Sequence, residues 1–102
     1  NAEFFKKMKP SAVFINIGRG ATVDTQALVE ALENGVIAGA AIDAVEPEPL
    51  NEDSPLWDMD NVILTPHCSA DSPNYFDRAV KVLVNNLESY QDGNGVPTAV
   101  SR

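Results

Sequence analysis

The sequence predicts an α/β fold in which about three parallel strands form part of a doubly wound sheet, with helices between them and a long C-terminal helix. First, three short apolar runs alternate with segments of helical periodicity along the 102 residues. Second, the first run is continuously apolar, which is typical of a parallel strand covered on both faces. Third, each run is followed closely by a charged or titratable residue. Such residues meet at the carboxyl edge of an open parallel sheet, where ligands bind.

The first elements are a short helix and a strand. Asn1 can cap a helix that carries Phe4 and Phe5 on its apolar face, and Pro10 closes it. The first strand is expected over residues 12–16, with a buried parallel character. A sheet covered on both faces is therefore the working expectation.

The next helix and strand follow a polar turn. Asp24 or Thr25 can cap the helix, and Asn34-Gly35 provides its stop. The helix buries apolar residues at helical spacing: Ala27, Leu28, Ala31 and Leu32. The second strand is expected over residues 36–43 and is rich in Ala and Gly, which indicates either the close approach of another backbone or ligand, or tight helix packing.

A long acidic loop precedes the last strand and helix. Residues 44–60 hold three prolines and many acids, with Leu56, Trp57 and Met59 as the large apolar anchors. The third strand is expected over residues 61–65. Ser72-Pro73 is a good N-cap and first-turn pair for the last helix, which runs to about Tyr90. A tail over residues 96–102 follows and needs a docking surface. The predicted buried stripe of this helix comprises Phe76, Val80, Leu83, Val84 and Leu87.

Charge and composition exclude several classes of partner. The formal net charge is −8, and seven acids lie between positions 41 and 62 with no Lys or Arg among them, which argues against nucleic acid or an anionic membrane surface. No apolar run approaches the roughly 20 residues of a membrane span. Cys68 is the only cysteine, so no internal disulfide can form and a cytoplasmic setting is expected. No metal site is expected.

Three side chains at the predicted carboxyl edge suit one kind of chemistry. Arg19 follows the first strand, Glu48 the second and His67 the third. A guanidinium binds a carboxylate, and an imidazole exchanges a proton near neutral pH, aided by a carboxylate. Together they indicate an enzyme acting on a small acid with a hydroxyl or carbonyl group.

Three ordered motifs carry a resemblance to a known family. INIGRGATVDTQAL, AGAAIDAVEPEPL and NVILTPH resemble the C-terminal half of the Rossmann-like nucleotide-binding domain of D-isomer-specific 2-hydroxyacid dehydrogenases, over residues 1 to about 90. The resemblance implies an NAD- or NADP-dependent oxidoreductase that interconverts 2-hydroxy and 2-oxo acids by hydride transfer.

The resemblance also implies residue roles. Arg19 would bind the substrate carboxylate, His67 would be the acid/base, and Glu48 would fix its tautomer. Glu46 is the alternative to Glu48. Glu48 is preferred because the family's acid directly precedes a Pro-Leu step, which is Pro49-Leu50 in this sequence.

Cofactor contacts are the second set of implied roles. Asp43 would accept a hydrogen bond from the nicotinamide carboxamide. The remaining implied contacts with the cofactor are Ile17, Gly18, Arg19, His67, Ser69 and Ala70. Cys68 beside the histidine is interpreted as a passive wall of the pocket, because this chemistry needs no nucleophile.

Two parts of the family's architecture are missing from these residues. No G-x-G-x-x-G motif occurs, and there is no separate substrate domain. The chain is therefore expected to be the C-terminal half of a nucleotide-binding domain plus a helix and tail, unable to turn over alone. The alternatives are a stand-alone half-domain that acts as a dimerising or binding module without catalysis, and complementation by a separately encoded N-terminal half. Homodimerisation is expected from the family.

Overall fold

Three parallel strands form one sheet with β2 at its centre. The computed structural model describes residues 1–100, and the strands are β1 (Val13–Asn16), β2 (Gly39–Ile42) and β3 (Val62–Leu64) in the spatial order β1-β2-β3. Asn16 lies opposite Ile42, and Ile42 lies opposite Leu64, so all three strands end at one edge. The predicted α/β class with a parallel sheet is confirmed.

The chain divides into two compact units, residues 1–69 and the residues from Ala70 onward. The first unit holds the sheet, α1 (Ala2–Phe5) and α2 (Thr25–Glu33), together with two short 3₁₀ turns at Gly20–Thr22 and Pro55–Trp57. The second unit holds α3 (Tyr75–Gln91).

Both helices of the first unit begin at capped residues. The side chain of Asn1 accepts a hydrogen bond from the Phe4 N–H at 3.1 Å, and Asp24, not Thr25, caps α2 by accepting from the Ala27 N–H at 3.1 Å. The first helix ends at Phe5, before the predicted closure at Pro10, because turn-type hydrogen bonds replace the helical ones after Lys6.

The core lies on one face of the sheet. Phe5, Leu28 and Ile42 are buried there, and the predicted apolar residues of α2 are all buried. The expectation of a doubly covered sheet is wrong for the described residues, since Val13 and Ile15 on the other face are 55% and 65% exposed. The apolar run in β1 indicated strand burial, but it could not indicate whether these residues also supply the second covering layer.

The second strand is shorter than predicted because its first residues serve the helix before it. Gly35 has a φ of +64°, and the Val36 N–H donates to Ala31 O at 2.9 Å, which closes the C-terminal end of α2. Val36 is thus committed to the helix cap, and regular pairing begins at Gly39. A side chain at Gly39 would lie 2.6 Å from Asn61 O, so this small residue reflects close backbone approach.

The second unit is a single long helix with its flanking turns. The predicted Ser72 cap is wrong: the first helical hydrogen bond runs from the Arg78 N–H to Asn74 O, and Ser72 O instead closes a turn with the Tyr75 N–H. The predicted buried stripe is also exposed, because the described residues of this unit provide no second layer against it. Of the predicted tail, Ser101 and Arg102 lie outside the described residues, whereas Thr98 accepts a hydrogen bond from Asn86 at 2.6 Å.

Residues 1–100 contain neither a membrane-spanning helix nor a metal-binding cluster. Over residues 1–100, no helix combines the length and apolar character needed to cross a membrane. The same residues contain no group of three or more His, Cys, Asp or Glu side chains arranged to hold a metal ion.

Candidate active site at the carboxyl edge of the sheet

Three loops leave the sheet at its carboxyl edge, and each carries one of the predicted functional side chains. Arg19 follows β1, Glu48 lies in the loop after β2, and His67 follows β3. The parallel register brings the starts of these loops side by side. Two further side chains, Asn16 and Asp43, connect the loops laterally.

Asn16 connects the loop of Arg19 to the loop after β2. It is the last residue of β1 and is buried, with 8% of its surface exposed. Its Nδ2 donates to Ala44 O at 3.1 Å and to Arg19 O at 3.4 Å, while its Oδ1 accepts from the Gly18 N–H at 3.1 Å. All the hydrogen-bonding groups of this amide are therefore engaged, and they shape the turn that presents Arg19.

Arg19 is exposed and its guanidinium is not paired with an acid within residues 1–100. Its Nη1 donates to Gly18 O at 3.0 Å, and its own carbonyl accepts from the Thr22 hydroxyl at 2.6 Å. The structure does not bring the guanidinium into hydrogen-bond contact with Glu48 or His67. Most of the donors of this side chain remain free, so they are available to an anionic ligand.

Asp43 connects the end of β2 to the loop that carries His67. The carboxylate is buried, and its Oδ1 accepts from the Thr65 hydroxyl at 2.6 Å and from the Cys68 N–H at 2.9 Å. Its Oδ2 accepts from the Ser69 N–H at 2.9 Å. These hydrogen bonds, that of the Thr65 hydroxyl first and those of Ser69 and the Cys68 N–H with it, hold the pKa of Asp43 well below its ordinary value. The group is therefore ionised throughout the neutral range.

Glu48 and His67 form the closest pair of titratable side chains at this edge. The two carboxylate oxygens lie 2.8 and 3.0 Å from the imidazole Nδ1, and both side chains are partly exposed. A carboxylate at Nδ1 accepts a hydrogen bond from the N–H of that nitrogen and so fixes the tautomer, which leaves Nε2 able to exchange a proton with a ligand. Glu46, the alternative, forms no hydrogen bond with His67 among the described residues.

The backbone of His67 adopts an uncommon conformation. Its φ is +52°, and it is the only non-glycine residue with a positive φ within residues 1–100. Holding a non-glycine residue in this left-handed region costs on the order of 1 kcal/mol of free energy. Such a conformation persists where the surrounding structure enforces it. The sequence predicts a functional histidine here but carries no signal for this backbone conformation.

The other predicted cofactor contacts lie along the same loops. Ile17 is 66% exposed, and Gly18 and Ser69 are exposed as well. The backbone N–H of Gly18 donates to the Asn16 side chain, and that of Ser69 donates to the Asp43 side chain. Ala70 is exposed and is the first residue of the second unit. Cys68 is partly buried as a free thiol, while its N–H serves Asp43.

A mostly apolar cleft of about 400 Å³ opens beside the acidic side chains. Asp43 and Glu48 contribute its polar groups, and Trp57, whose indole N–H donates to Asn51 O at 2.9 Å, forms part of its wall. The remaining lining is Val45, Pro49, Leu50, Leu64, Thr65 and Pro66. The edge therefore combines an exposed guanidinium and a carboxylate–imidazole pair with a nearby apolar surface.

Comparison with protein families gives a match over the first unit. Residues 1–69 match the model described as D-isomer specific 2-hydroxyacid dehydrogenase, NAD binding domain. A probable 2-ketogluconate reductase from Dictyostelium discoideum is 51% identical over 90 residues, which cover 88% of this chain and 27% of that protein. A glyoxylate reductase from Thermococcus onnurineus is 41% identical over 102 residues, which cover 100% of this chain and 30% of that protein.

Solved structures give the same result. A D-isomer specific 2-hydroxyacid dehydrogenase from Xanthobacter autotrophicus Py2, in complex with NADPH and MES, superimposes with a TM-score of 0.87 at 40% identity and covers 99% of this chain and 41% of that one. An NADPH-dependent glyoxylate/hydroxypyruvate reductase from Sinorhizobium meliloti, in complex with NADP and sulfate, gives a TM-score of 0.87 at 33% identity, covering 99% and 33%. This chain spans about a third of the length of the curated relatives named above.

Proposed function

The chain belongs to the D-isomer specific 2-hydroxyacid dehydrogenase family, and on that premise we propose that its carboxyl edge serves an NAD(P)-dependent oxidoreductase that interconverts D-2-hydroxy acids and 2-oxo acids. The observation that carries this proposal is the Glu48–His67 pair, with both carboxylate oxygens within 3.0 Å of Nδ1. The substrate is a small carboxylic acid with a hydroxyl or carbonyl at its second carbon.

His67 is the acid/base in this proposal. During reduction its Nε2 donates a proton to the carbonyl oxygen of the oxo acid, and during oxidation the same nitrogen removes the hydroxyl proton. Glu48 accepts a hydrogen bond from the Nδ1–H and stabilises the charge that the imidazole carries when both nitrogens are protonated. Arg19 binds the substrate carboxylate through its free donors, which fixes the orientation of the carbon that reacts.

The residues present fit the nicotinamide end of the cofactor. Asp43 Oδ2 accepts a hydrogen bond from the Ser69 N–H, and a carboxylate oxygen can accept a further one from a carboxamide. The other residues proposed to contact the cofactor are Ile17, Gly18, Arg19, His67, Ser69 and Ala70. A bound nicotinamide supplies the hydride in reduction and accepts it in oxidation.

The domain assignment belongs to the same proposal. Residues 1–69 form the C-terminal half of a nucleotide-binding domain, followed by the C-terminal helix and tail. In this proposal, sequence outside these 102 residues provides the G-x-G-x-x-G loop for the pyrophosphate and the substrate domain. The chain covers about a third of the length of its relatives, which supports this assignment. We further propose that the protein is a homodimer and that it is located in the cytoplasm. The single, unpaired cysteine favours the location.

Substitution of His67 tests the assignment. In the complete enzyme we expect His67→Ala to lower kcat by about 10²- to 10⁴-fold, because general acid–base catalysis contributes that much. The matched control is Cys68→Ala at the neighbouring position, which keeps the N–H that bonds to Asp43 and is expected to leave kcat unchanged. The measurement is steady-state reduction of glyoxylate and hydroxypyruvate with NADH and NADPH. A His67→Ala enzyme with the parent kcat would remove this residue from the reaction.

One observation favours a second candidate function. The exposed apolar side chains of the sheet, Val13, Ile15 and Ile63, suit a surface that is covered in an assembly. In this alternative the half-domain is a dimerising or binding module without catalysis, and its test is the state of association of the 102-residue chain.

A further inference from the structure

We propose that Asp43 is a positioning residue that holds His67 in its reactive orientation, by fixing the backbone on both sides of the histidine. The inference rests on the proposed acid/base role of His67. It is separate from the cofactor contact proposed for Asp43, because it concerns the hydrogen bonds that the carboxylate accepts from the protein rather than the one proposed from a ligand.

The hydrogen bonds of Asp43 bracket the histidine. Thr65, two residues before His67, donates its hydroxyl to Oδ1 at 2.6 Å, and Cys68, directly after it, donates its N–H to the same oxygen at 2.9 Å. The Ser69 N–H donates to Oδ2 at 2.9 Å. One carboxylate therefore fixes three positions in a segment of five residues.

The conformation between these anchors requires such support. His67 has a φ of +52°, whereas most side-chain-bearing residues avoid this region. Its own N–H donates to Thr65 O at 3.0 Å, which closes a tight turn. Because both ends of the turn are tied to a buried carboxylate, relaxation of the histidine backbone toward a negative φ would break at least one of these hydrogen bonds.

Among residues 1–100, one side chain bonds to the imidazole and fixes its direction. Glu48 contacts Nδ1, but both members of that pair are partly exposed, and Glu48 lies in a loop without regular structure. Asp43 is 4% exposed and lies directly after the central strand. The end of β2 therefore fixes the position of the His67 backbone, and the side chain of Glu48 adjusts to the position of the imidazole.

Removal of the Thr65 hydroxyl tests the bracket without altering the carboxylate. In the complete enzyme we expect Thr65→Val to lower kcat by about tenfold, since a hydrogen bond to a charged group stabilises by about that factor. The KM for the cofactor is expected to stay unchanged. Thr65→Ser, which keeps the hydroxyl, is the matched control and is expected to restore kcat.

A spectroscopic readout separates positioning from general weakening. The Nδ1–H proton of His67, hydrogen-bonded to Glu48, is expected to give a downfield NMR resonance in the parent and in Thr65→Ser, and to weaken or disappear in Thr65→Val. Thr65 is exposed, so the variant is expected to fold, and Thr65→Ala removes the same hydroxyl if the branched side chain of Val is not tolerated.

The outcomes distinguish this inference from the proposed function. If His67→Ala retains activity, the acid/base assignment fails. If His67→Ala is inactive while Thr65→Val and Thr65→Ala keep both kcat and the resonance, the positioning role of Asp43 is overturned and the acid/base assignment stands. A rise in the KM for the cofactor with an unchanged kcat and resonance would likewise overturn the positioning role.

Discussion

Asn16 shows how much of the site depends on one residue without any reactive group. Its amide donates to the carbonyls of Arg19 and Ala44 and accepts from the Gly18 N–H, so the turn of Arg19 is held against the next loop. A buried amide with every partner satisfied is costly to replace, because each group left unpaired must be desolvated without compensation.

Asn16→Asp is expected to weaken both the fold and the binding of the acid substrate. The substitution keeps the acceptor for Gly18 but places a carboxylate oxygen against two carbonyls, so we expect a loss of about 1–3 kcal/mol in the free energy of unfolding and a higher KM for the acid. The measurements are urea unfolding and steady-state kinetics in the complete enzyme.

The matched control for this prediction is Asn61→Asp. Asn61 donates a single exposed hydrogen bond of 3.4 Å to Ala38 O, so its replacement is expected to change little. Equal losses of stability in the two variants would contradict the role given to the amide of Asn16.

The charged and titratable residues of the candidate site are easier to recognise in the sequence than the residues that support them. Arg19, Glu48 and His67 stand out because charged or titratable side chains after apolar strands are conspicuous, and the Glu48–His67 contact follows the prediction. Asn16 and Thr65 were missed as supports because a polar residue at the end of a strand has the same pattern whether its side chain faces water or a carbonyl. Their roles depend on register, which sequence spacing does not specify.

At the scale of elements, the close contact between the turn after β1 and the loop after β2 is set by a glycine. A Cβ at Gly20 would lie 2.0 Å from the carbonyl carbon and oxygen of Val45 and 2.6 Å from the Glu46 N. These atoms are backbone, so they cannot move aside as a flexible side chain would. The absence of a side chain at Gly20 therefore permits the Arg19 turn and the Glu48 loop to approach each other.

Gly20→Ala is expected to separate these two elements. We expect a loss of about 1–3 kcal/mol or more in the free energy of unfolding, as for other overpacked sites, and a lower kcat because Glu48 moves with its loop. For stability alone, the control is Gly18→Ala, where the nearest atom to the new Cβ is Asn16 Oδ1 at 3.4 Å. A Gly20→Ala protein as stable as the Gly18→Ala protein would show that the loops do not meet as described.

Element boundaries were predicted less well than element types, for a local reason. The N–H of Val36 closes the cap of α2, so β2 starts later than its apolar pattern indicates. The same kind of cap ends α3, where Gly93 has a φ of +77° and the Asn94 N–H donates to Ser89 O at 2.9 Å. Apolar periodicity marks which residues are buried, whereas hydrogen bonds of the cap decide where regular structure stops.

At the scale of the whole molecule, the burial pattern contains information on missing partners. The sequence predicts a sheet covered twice and a buried stripe on the last helix, and both surfaces are exposed among the described residues. Apolar residues at these positions predict burial, but they do not specify burial by this chain itself. An apolar pattern specifies that a surface is covered, but not which polypeptide covers it.

Sedimentation of the 102-residue chain discriminates between the two candidate functions. If the chain is a dimerising module, it is expected to sediment as a dimer at micromolar concentration, because the exposed sheet face is then paired. Ile15→Glu, on that face, is expected to yield monomers, whereas Ile17→Glu, beyond the end of β1, provides a control of equal charge. A soluble, cooperatively folding monomer would contradict the module.

The lateral hydrogen bonds at the carboxyl edge share one anchor, the end of the central strand. Arg19 O is bonded to Asn16, Asn16 to Ala44, and the neighbouring Asp43 to Thr65, Cys68 and Ser69. The end of the central strand is thus joined to the turn of Arg19 by the side chain of Asn16, and to the segment of His67 by the side chain of Asp43. In the proposed enzyme, the group that binds the substrate carboxylate and the group that exchanges the proton are therefore both held from the same place, the end of the central strand.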